Sequence, residues 1–333
     1  MVNVLLWGGS QGARTVLPST PMPPTNLSQL RRALAVRGVT PAAAVPEASS
    51  GRTEEAAIRP ARLLEDQSLT WHPVGLAEPW RETIAFLDGV QHAELVGYAG
   101  SSPIIVGEIA AGVRERRDRR LHTVVESRRR LAIARPSALS AAGDVLDLLE
   151  SIALPEDEPA HPVRDFTQAA RALDRARGGL ELEVGRRYRE RSREWLIVDG
   201  ALSESPVWSL DQRIVGISKS HATLPFDGPE LHHYLRLPFG HRSSIFAPET
   251  RSMAPVHAWA LRLWPWEGKD LFHGLVRVEV APANGTPEMA DLLSRRLLAE
   301  RAPLSTPDAR WDRLLYGVHS VEQYLRSRAG SIN

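Results

Sequence analysis

The sequence contains no cysteine among its 333 residues, which excludes disulfide bonds and thiolate metal sites. It also has no apolar run near the roughly 20 residues that a membrane-spanning helix needs. The first residues, MVNVLLWGGS, lack the basic region and the long apolar region of a signal peptide. We therefore expect a cytoplasmic protein without a membrane segment. No GxxxxGK[ST] motif occurs, so the sequence offers no Walker-type ATP site of its own.

Lysine is scarce, because only Lys219 and Lys269 are lysine among 41 basic residues. Arginine is the default basic residue of this chain, so each lysine is a candidate for a specific role. The formal net charge of +1 neither favours nor excludes nucleic acid as a partner. The length of 333 residues allows one large domain or two small ones.

The N-terminal quarter differs in amino-acid composition from the rest of the chain. Prolines with alanine and serine around them predict a peripheral arm over residues 1–80, and the domain itself is predicted over 81–333. One helix is expected in the arm at Asn26–Val36. The apolar segment Met1–Trp7 is either an edge strand of the domain or an exposed docking element.

Short β-rich runs bounded by turn residues predict the strands. Three runs follow one another closely and predict an antiparallel meander: TIAFLDGVQ from Thr83, HAELVGYAG from His92 and PIIVGEIAAGV from Pro103. RLHTVV at Arg120–Val125 either extends the meander or forms an outlying strand. Later, the unbroken apolar run Trp195–Val198 indicates a strand that is covered on both faces. A neighbouring strand is expected at Ile214–Ile217.

Helical periodicity and further β-like segments complete the expected elements. Helices are predicted at Ser137–Ile152, at Val163–Arg193 with an interruption at Gly178-Gly179, at Pro287–Glu300 and at Asp308–Arg328. Long β-like segments are predicted at Ala254–Trp264 and Leu271–Val280. The adjacent pair His232-His233 is not a metal site, because neighbouring residues of a strand point apart and no third ligand is evident.

Eight arginines lie between Val113 and Arg130, and two interpretations of them remain open. They form a phosphate-binding face, or they belong to a solvated hairpin that Glu115, Asp118 and Glu126 partly neutralise. The eight are Arg114, Arg116, Arg117, Arg119, Arg120, Arg128, Arg129 and Arg130.

Two carboxylates end apolar runs, one at Asp88-Gly89 and one at Asp199-Gly200. The order meander, helices, buried strand, second strand is the layout of an α/β fold with a ribonuclease-H-like core. In that layout the first and fourth strands are neighbours, so we expect the two aspartates to face each other. Carboxylates that close repel unless a cation lies between them. Mg²⁺ or Mn²⁺, which prefer oxygen ligands, are the expected ions.

The motifs FLDGVQ, LIVDGAL and GISKSH, with a glutamate on an arginine-rich helix and a late helix bearing a histidine, resemble the NurA nuclease family. The resemblance covers about Thr83 to Arg328. It implies metal ligands at Asp88 and Asp199, and at Glu181, which follows Arg177 by four residues as in the family pattern. Glu183 is an alternative to Glu181, since the glycine pair makes the local helix register uncertain.

The same resemblance assigns catalytic roles to Lys219, in the SKS-like motif, and to His319 on the last helix. An ammonium at Lys219 would hold the scissile phosphate or a nucleophilic water. Where the family usually has a tyrosine, eight residues before the histidine, this sequence has Trp311, which supplies no phenolic oxygen. Trp311 and the other late tryptophans are candidates either for stacking on DNA bases or for core packing.

The family resemblance implies a divalent-metal-dependent DNA nuclease. It also implies a homodimer that works with a HerA-type hexameric translocase ATPase in DNA end processing or anti-phage defence. A second hypothesis is a scaffold subunit of a translocase complex whose catalysis is weakened. A third is a transposase-type ribonuclease-H-like enzyme, which fits the topology but not the SKS motif and the last helix.

Overall fold

The computed structural model of the protein describes residues 56–147, 149–249, 254–302 and 311–328. The predicted elements at Met1–Trp7 and Asn26–Val36 lie outside these residues. The strands are β1 Ala57–Ile58, β2 Ala61–Leu63, β3 Trp71–Pro73, β4 Ile84–Ala99, β5 Ser102–Arg117, β6 Arg120–Ala134, β7 Glu150–Ala153, β8 Trp195–Asp199, β9 Ile214–Ser218, β10 Thr223–Leu224, β11 His241–Ser243, β12 Phe246–Pro248, β13 His257–Arg262 and β14 Leu275–Val280. The helices are α1 Pro136–Ala142, α2 Pro162–Arg189, α3 Pro206–Ser209, α4 Gly228–Leu235, α5 Pro287–Glu300 and α6 Tyr316–Ser327.

One large mixed sheet organises the described part of the chain. Its strands run in the order β2-β12-β13-β14-β9-β8-β4-β5-β6-β7, with β11 and β3 attached beside β13. β4, β5 and β6 form an antiparallel meander. β8 lies parallel to β4 on the side away from β5, and β9 lies parallel to β8. A meander followed by two parallel strands beside its first strand is the ribonuclease-H-like order, so the predicted α/β fold class is confirmed.

Helices cover the sheet on both faces, which makes three layers. Along β8, Trp195 and Ile197 pack in one core cluster with residues of α5 and α6. Leu196 and Val198 pack in a second cluster with α2, on the opposite face. Because successive side chains of a strand point to opposite faces, every residue of this run is buried, as its unbroken apolar character predicts.

The meander differs from the sequence prediction in where its first strand ends. The runs from Thr83 and from His92 are one strand, β4, which pairs with β5 from Ile84 to Ala99 with a single register shift between Leu95 and Gly97. The Asp88-Gly89 pair therefore lies inside a strand rather than at its end. Continuous backbone pairing with β5 outweighs the local turn tendency of aspartate and glycine. The third strand of the meander is β6, so RLHTVV extends it.

Three predicted helices need correction. α1 ends at Ala142 because Gly143 has a φ of +58°, and residues 150–153 form β7 on the edge of β6 instead of continuing the helix. α2 passes through Gly178-Gly179 without a break, since its apolar face is buried on either side of the pair. The last helix begins at Tyr316, after a short 3₁₀ turn at Trp311–Arg313 and an extended Leu315.

The helix at Pro287–Glu300 is confirmed with the predicted bounds. Two other segments are arranged differently from the prediction. His232 and His233 lie on helix α4, not on a strand, and His233 stacks on Trp71 with 4.1 Å between ring centroids. Residues 61–73 supply β2 and β3, which pair with β12 and β11 of the main sheet.

Candidate active site at the end of strand β8

The parallel pairing of β4 with β8 places two aspartates side by side. The paired register runs from Ile84 opposite Trp195 to Leu87 opposite Val198. One residue further along, Asp88 stands level with Asp199, although 110 residues separate them in sequence. Strand alternation turns both side chains toward the α6 face of the sheet, since Phe86 and Ile197 belong to the core cluster on that face.

Asp88 lies in an environment that disfavours its charge. The residue is 5% exposed, and its Oδ1 accepts a hydrogen bond of 2.7 Å from the backbone N–H of Gly89. Burial raises the pKa of Asp88 well above its ordinary value, and the negative charge of Asp199 raises it further. Lys219 offsets part of this shift. A buried carboxylate beside a second carboxylate is the electrostatic setting that a cation relieves.

Asp199 ends β8 and is paired with a lysine. Lys219, directly after β9, places its Nζ 2.9 Å from Oδ1 of Asp199, and its side chain is 12% exposed. The parallel register of β8 with β9 sets this contact, because Asp199 is level with Ile217. The lysine that the sequence singled out is thus at the aspartate pair and is not a solvated surface charge.

Glu181 approaches the aspartates from the other face of the sheet. It lies on α2, and its carboxyl group rests on Gly89, where a side-chain Cβ would stand only 2.9 Å from its Cγ. Arg177, one turn earlier, forms an ion pair with Glu181 and also donates to Asp174 at 2.8 Å. Glu183, the sequence alternative, faces away and pairs with Arg129. Of the two glutamates, the structure therefore brings Glu181 to Asp88.

The last helix adds a carboxylate that the sequence reasoning missed. The charge of Glu322, on α6, contributes to the raised pKa of Asp88. His319 lies one turn earlier on the same face of the helix, with Nδ1 3.8 Å from Oε2 of Glu322. Both ring nitrogens of His319 are buried and accept or donate no hydrogen bond within the described residues. The three-residue spacing to His319 is the signal that would have found Glu322.

These residues fit a hard divalent cation in their chemistry. Four carboxylates and one imidazole surround the end of β8, and oxygen-rich sets of this kind suit Mg²⁺ or Mn²⁺. The buried ring nitrogens of His319 are free to take a ligand role. Two of these carboxylates are already paired with cations of the protein, since Lys219 holds Asp199 and Arg177 holds Glu181.

A tighter acidic cluster lies elsewhere, at Glu65, Asp66 and His72. In the described ranges it is the one group of three His, Asp or Glu residues whose ligand atoms all lie within 4.8 Å of one another. Arg242 already holds both oxygens of Glu65, at 2.7 and 2.9 Å. Asp66 accepts hydrogen bonds from Ser244 at 2.6 Å and is 2.8 Å from His72. The ligand atoms of this cluster are thus already engaged in hydrogen bonds and ion pairs within the fold.

Most of the arginine block makes contacts within the protein. Arg114 donates to the carbonyl and hydroxyl oxygens of Ser320 on α6, and Arg128 donates to the carbonyl oxygen of Leu325. Further ion pairs join Arg116 to Glu300, Arg117 to Glu115, Arg128 and Arg130 to Glu108, and Arg129 to Glu183. Arg119 and Arg120 stand exposed at the β5–β6 turn. Within this block, Arg114 and Arg128 fasten the last helix to the meander.

Trp311 belongs to an aromatic cluster. Its ring meets those of Trp264 and His273 edge-on, with centroids 5.7 and 5.4 Å away. None of its ring contacts in the described part of the chain involves Asp88 or Asp199. Its surroundings correspond to the core-packing interpretation.

Comparison with known proteins adds one distant likeness. No protein-family model matches the sequence, and no curated protein matches it. The fold is similar to the crystal structure of the NurA nuclease from Sulfolobus solfataricus, with 12% sequence identity and a TM-score of 0.48 over 77% of this chain and 81% of that chain. At this identity and score the likeness concerns the fold alone. No helix within the described ranges is both long and apolar enough to span a membrane.

Proposed function

We propose that this chain is a divalent-metal-dependent nuclease that hydrolyses phosphodiester bonds in DNA. The observation that carries the proposal is the level placement of Asp88 and Asp199 on neighbouring parallel strands, with Lys219 bound to the second. Placing the buried Asp88 carboxylate beside the carboxylate of Asp199 is electrostatically costly. The retention of this pair beside an ammonium group fits a centre that binds metal and phosphate.

In this proposal each side chain has a distinct task. Asp88 and Asp199 would hold the ion, with Glu181 and Glu322 approaching from opposite faces of the sheet. A divalent ion at this position would activate water and stabilise the leaving oxygen of a phosphodiester. Lys219 offsets charge on the phosphate, which makes it part of the electrostatic stabilisation of the transition state.

Substitution of either aspartate tests the proposal. Asp88→Asn and Asp199→Asn should each lower the rate of Mn²⁺- or Mg²⁺-dependent DNA cleavage at least ~100-fold, because the metal supplies several kcal/mol of transition-state stabilisation. Asp157→Asn is the matched control, since Asp157 is an exposed loop carboxylate. Full activity of either active-site variant at saturating metal would refute the nuclease centre.

A wild-type protein that binds metal and DNA but cleaves neither single nor double strands would favour the scaffold hypothesis instead. Single-turnover assays on labelled oligonucleotides, with and without a chelator, separate these outcomes. The control variant should match the wild type in every assay.

We further propose that the chain works with a ring-shaped, ATP-driven DNA translocase, and as a homodimer. Support comes from the sequence resemblance and from the lack of a Walker motif in this sequence. Size-exclusion chromatography of the full chain and of a chain lacking residues 1–10, each with and without a translocase, tests the assembly. Unchanged assembly after the deletion would show that the docking surface does not include Met1–Trp7.

A further inference from the structure

A groove of about 730 Å³ opens beside the candidate active site, on the α2 face of the sheet. Glu181 and the end of β8 at Asp199 stand at one side of it. Its floor is apolar and includes Val198 and Leu202, while the exposed face of α2 forms its rim. The volume lies in the range of about 300–1,000 Å³ that small organic ligands fill.

Two arginines on the rim have no ionic partner among the described residues. Arg171 and Arg175 line the groove, are exposed, and lie one helical turn apart on α2. This sets them apart from the arginines of the meander, most of which are bound to glutamates or to α6. Asp174, also on the rim, is already paired with Arg177. The uncommitted positive charge of this region therefore faces the groove.

The same stripe of α2 continues into Gly178 and Gly179, which also line the groove. Apart from proline, glycine is the least favourable residue in a helix interior. Nothing in the fold requires glycine here, because a Cβ built at either position meets no atom within 4 Å. Both residues keep a helical backbone without a positive φ. A smooth helix surface is, however, what the close approach of a ligand backbone needs.

We infer that the groove is the binding path of a single DNA strand on its way to the aspartate pair, an inference that rests on the proposed nuclease function. Arg171 and Arg175 contact successive phosphates. The glycine pair lets the strand lie against α2, and the apolar floor takes an unpaired base. Cationic rims with apolar base platforms are the usual means of binding single strands, and a duplex keeps its bases stacked and out of reach of such a floor.

The salt dependence of DNA binding tests the arginines. In a chelator, the variant Arg171→Ala/Arg175→Ala should bind a single-stranded thymidine oligonucleotide at least ~10-fold more weakly than the wild type. The slope of log affinity against log salt should fall in magnitude by about 1.4, since each phosphate contact with single strands contributes about 0.7. The control is Arg187→Ala/Arg191→Ala, another exposed arginine pair with four-residue spacing and no ionic partner among the described residues. It should leave the slope unchanged.

A second variant tests whether the glycine pair serves DNA binding, since it should change stability and DNA affinity in opposite directions. Gly179→Gln should raise the melting temperature by about 1–3 °C, because it removes a helix-interior glycine. It should at the same time lower single-strand affinity and cleavage several-fold by blocking the groove. A duplex competitor of equal length should displace the oligonucleotide poorly.

The failures are distinguishable. If the wild type neither cleaves DNA with Mn²⁺ nor binds the oligonucleotide, the proposed function fails. If the wild type cleaves and binds DNA, but Arg171→Ala/Arg175→Ala has the same affinity and salt slope as Arg187→Ala/Arg191→Ala, the inference alone fails. Loss of binding in Arg119→Ala/Arg120→Ala instead would place the strand at the β5–β6 turn and overturn the inference. Equal or stronger displacement by duplex DNA, or by an RNA strand, would overturn the assignment of the ligand.

Discussion

Substitution of Gly89 by alanine moves one carboxylate of the proposed centre without removing any charge. A Cβ at this position would lie 2.9 Å from Cγ and 3.0 Å from Cδ of Glu181. Since carbon atoms prefer a separation of about 3.5–4.0 Å, the carboxyl group must retreat by roughly 0.5–1 Å. A displacement of about 1 Å in a catalytic centre can cost ~100-fold in rate. We therefore expect Gly89→Ala to lower metal-dependent cleavage by about 10- to 100-fold.

The matched control is Gly97→Ala on the same strand, where a Cβ meets no atom within 4 Å. Neither glycine has a positive φ, so alanine strains neither backbone. Cleavage would be measured under single-turnover conditions over a Mn²⁺ titration, with circular dichroism and thermal melts to verify folding. The Gly97 variant should cleave like the wild type. A folded Gly89→Ala protein with a wild-type rate and wild-type metal dependence would refute the role given to Glu181.

Three further predictions follow from other contacts of the structure. Lys219→Arg should lose most of its single-turnover rate while still binding metal, because a planar guanidinium does not fit the place of the ammonium; a silent substitution would make Lys219 an ordinary surface charge. Burial raises the pKa of Asp88 above its ordinary 3.8. The protonated carboxyl group therefore stabilises the fold fully below pH 3.8, and this stabilisation is lost as the pH rises and the group ionises. Metal-free Asp88→Asn should therefore melt above the wild type near pH 7 but not near pH 4, and a wild type that gains stability with rising pH relative to the variant would contradict this. Arg242 is 1% exposed and pairs with Glu65 and Asp291, so Arg242→Met should lower the free energy of unfolding in urea by about 3–5 kcal/mol; cleavage per folded molecule should not change.

The central strands and the side-by-side aspartates could be predicted from the sequence, because both follow from the apolar pattern of the strands and from their pairing. The apolar run Trp195–Val198 required cover on both faces, and α2 with α5 and α6 supplies it. Once β8 lies beside β4, the register that packs Ile84 against Trp195 also brings Asp88 to Asp199. The apolar runs of β4 and β8 and the parallel pairing of these strands therefore lead to the same arrangement.

The missed features depend on contacts between segments far apart in sequence. Glu322 could not be distinguished from an ordinary surface glutamate, because its place beside Asp88 depends on how α6 packs, with Gly317 lying directly on the ring of Phe86. Gly178-Gly179 resembles a helix break, yet burial of Leu180 and Val184 continues the helix. In each case burial energy of a distant partner outweighs the local signal.

The arginine block shows the same limit for electrostatics. Composition alone left a phosphate-binding face and a neutralised hairpin equally open. The structure gives Arg114 and Arg128 partners on α6, some 200 residues later in the chain. The two arginines that line the groove, Arg171 and Arg175, lie on α2 among many others and carry no sequence signal of their own.

The most direct test of the central claim is to locate Mn²⁺ by anomalous diffraction from crystals soaked in the ion. The account predicts a peak between Asp88 and Asp199, within the roughly 2.0–2.6 Å at which hard cations bind oxygen. It also predicts that Lys219 leaves Oδ1 of Asp199, from which it now stands 2.9 Å away, when the ion is bound. A peak only at Glu65, Asp66 and His72, or no peak at the aspartate pair at saturating Mn²⁺, would contradict it.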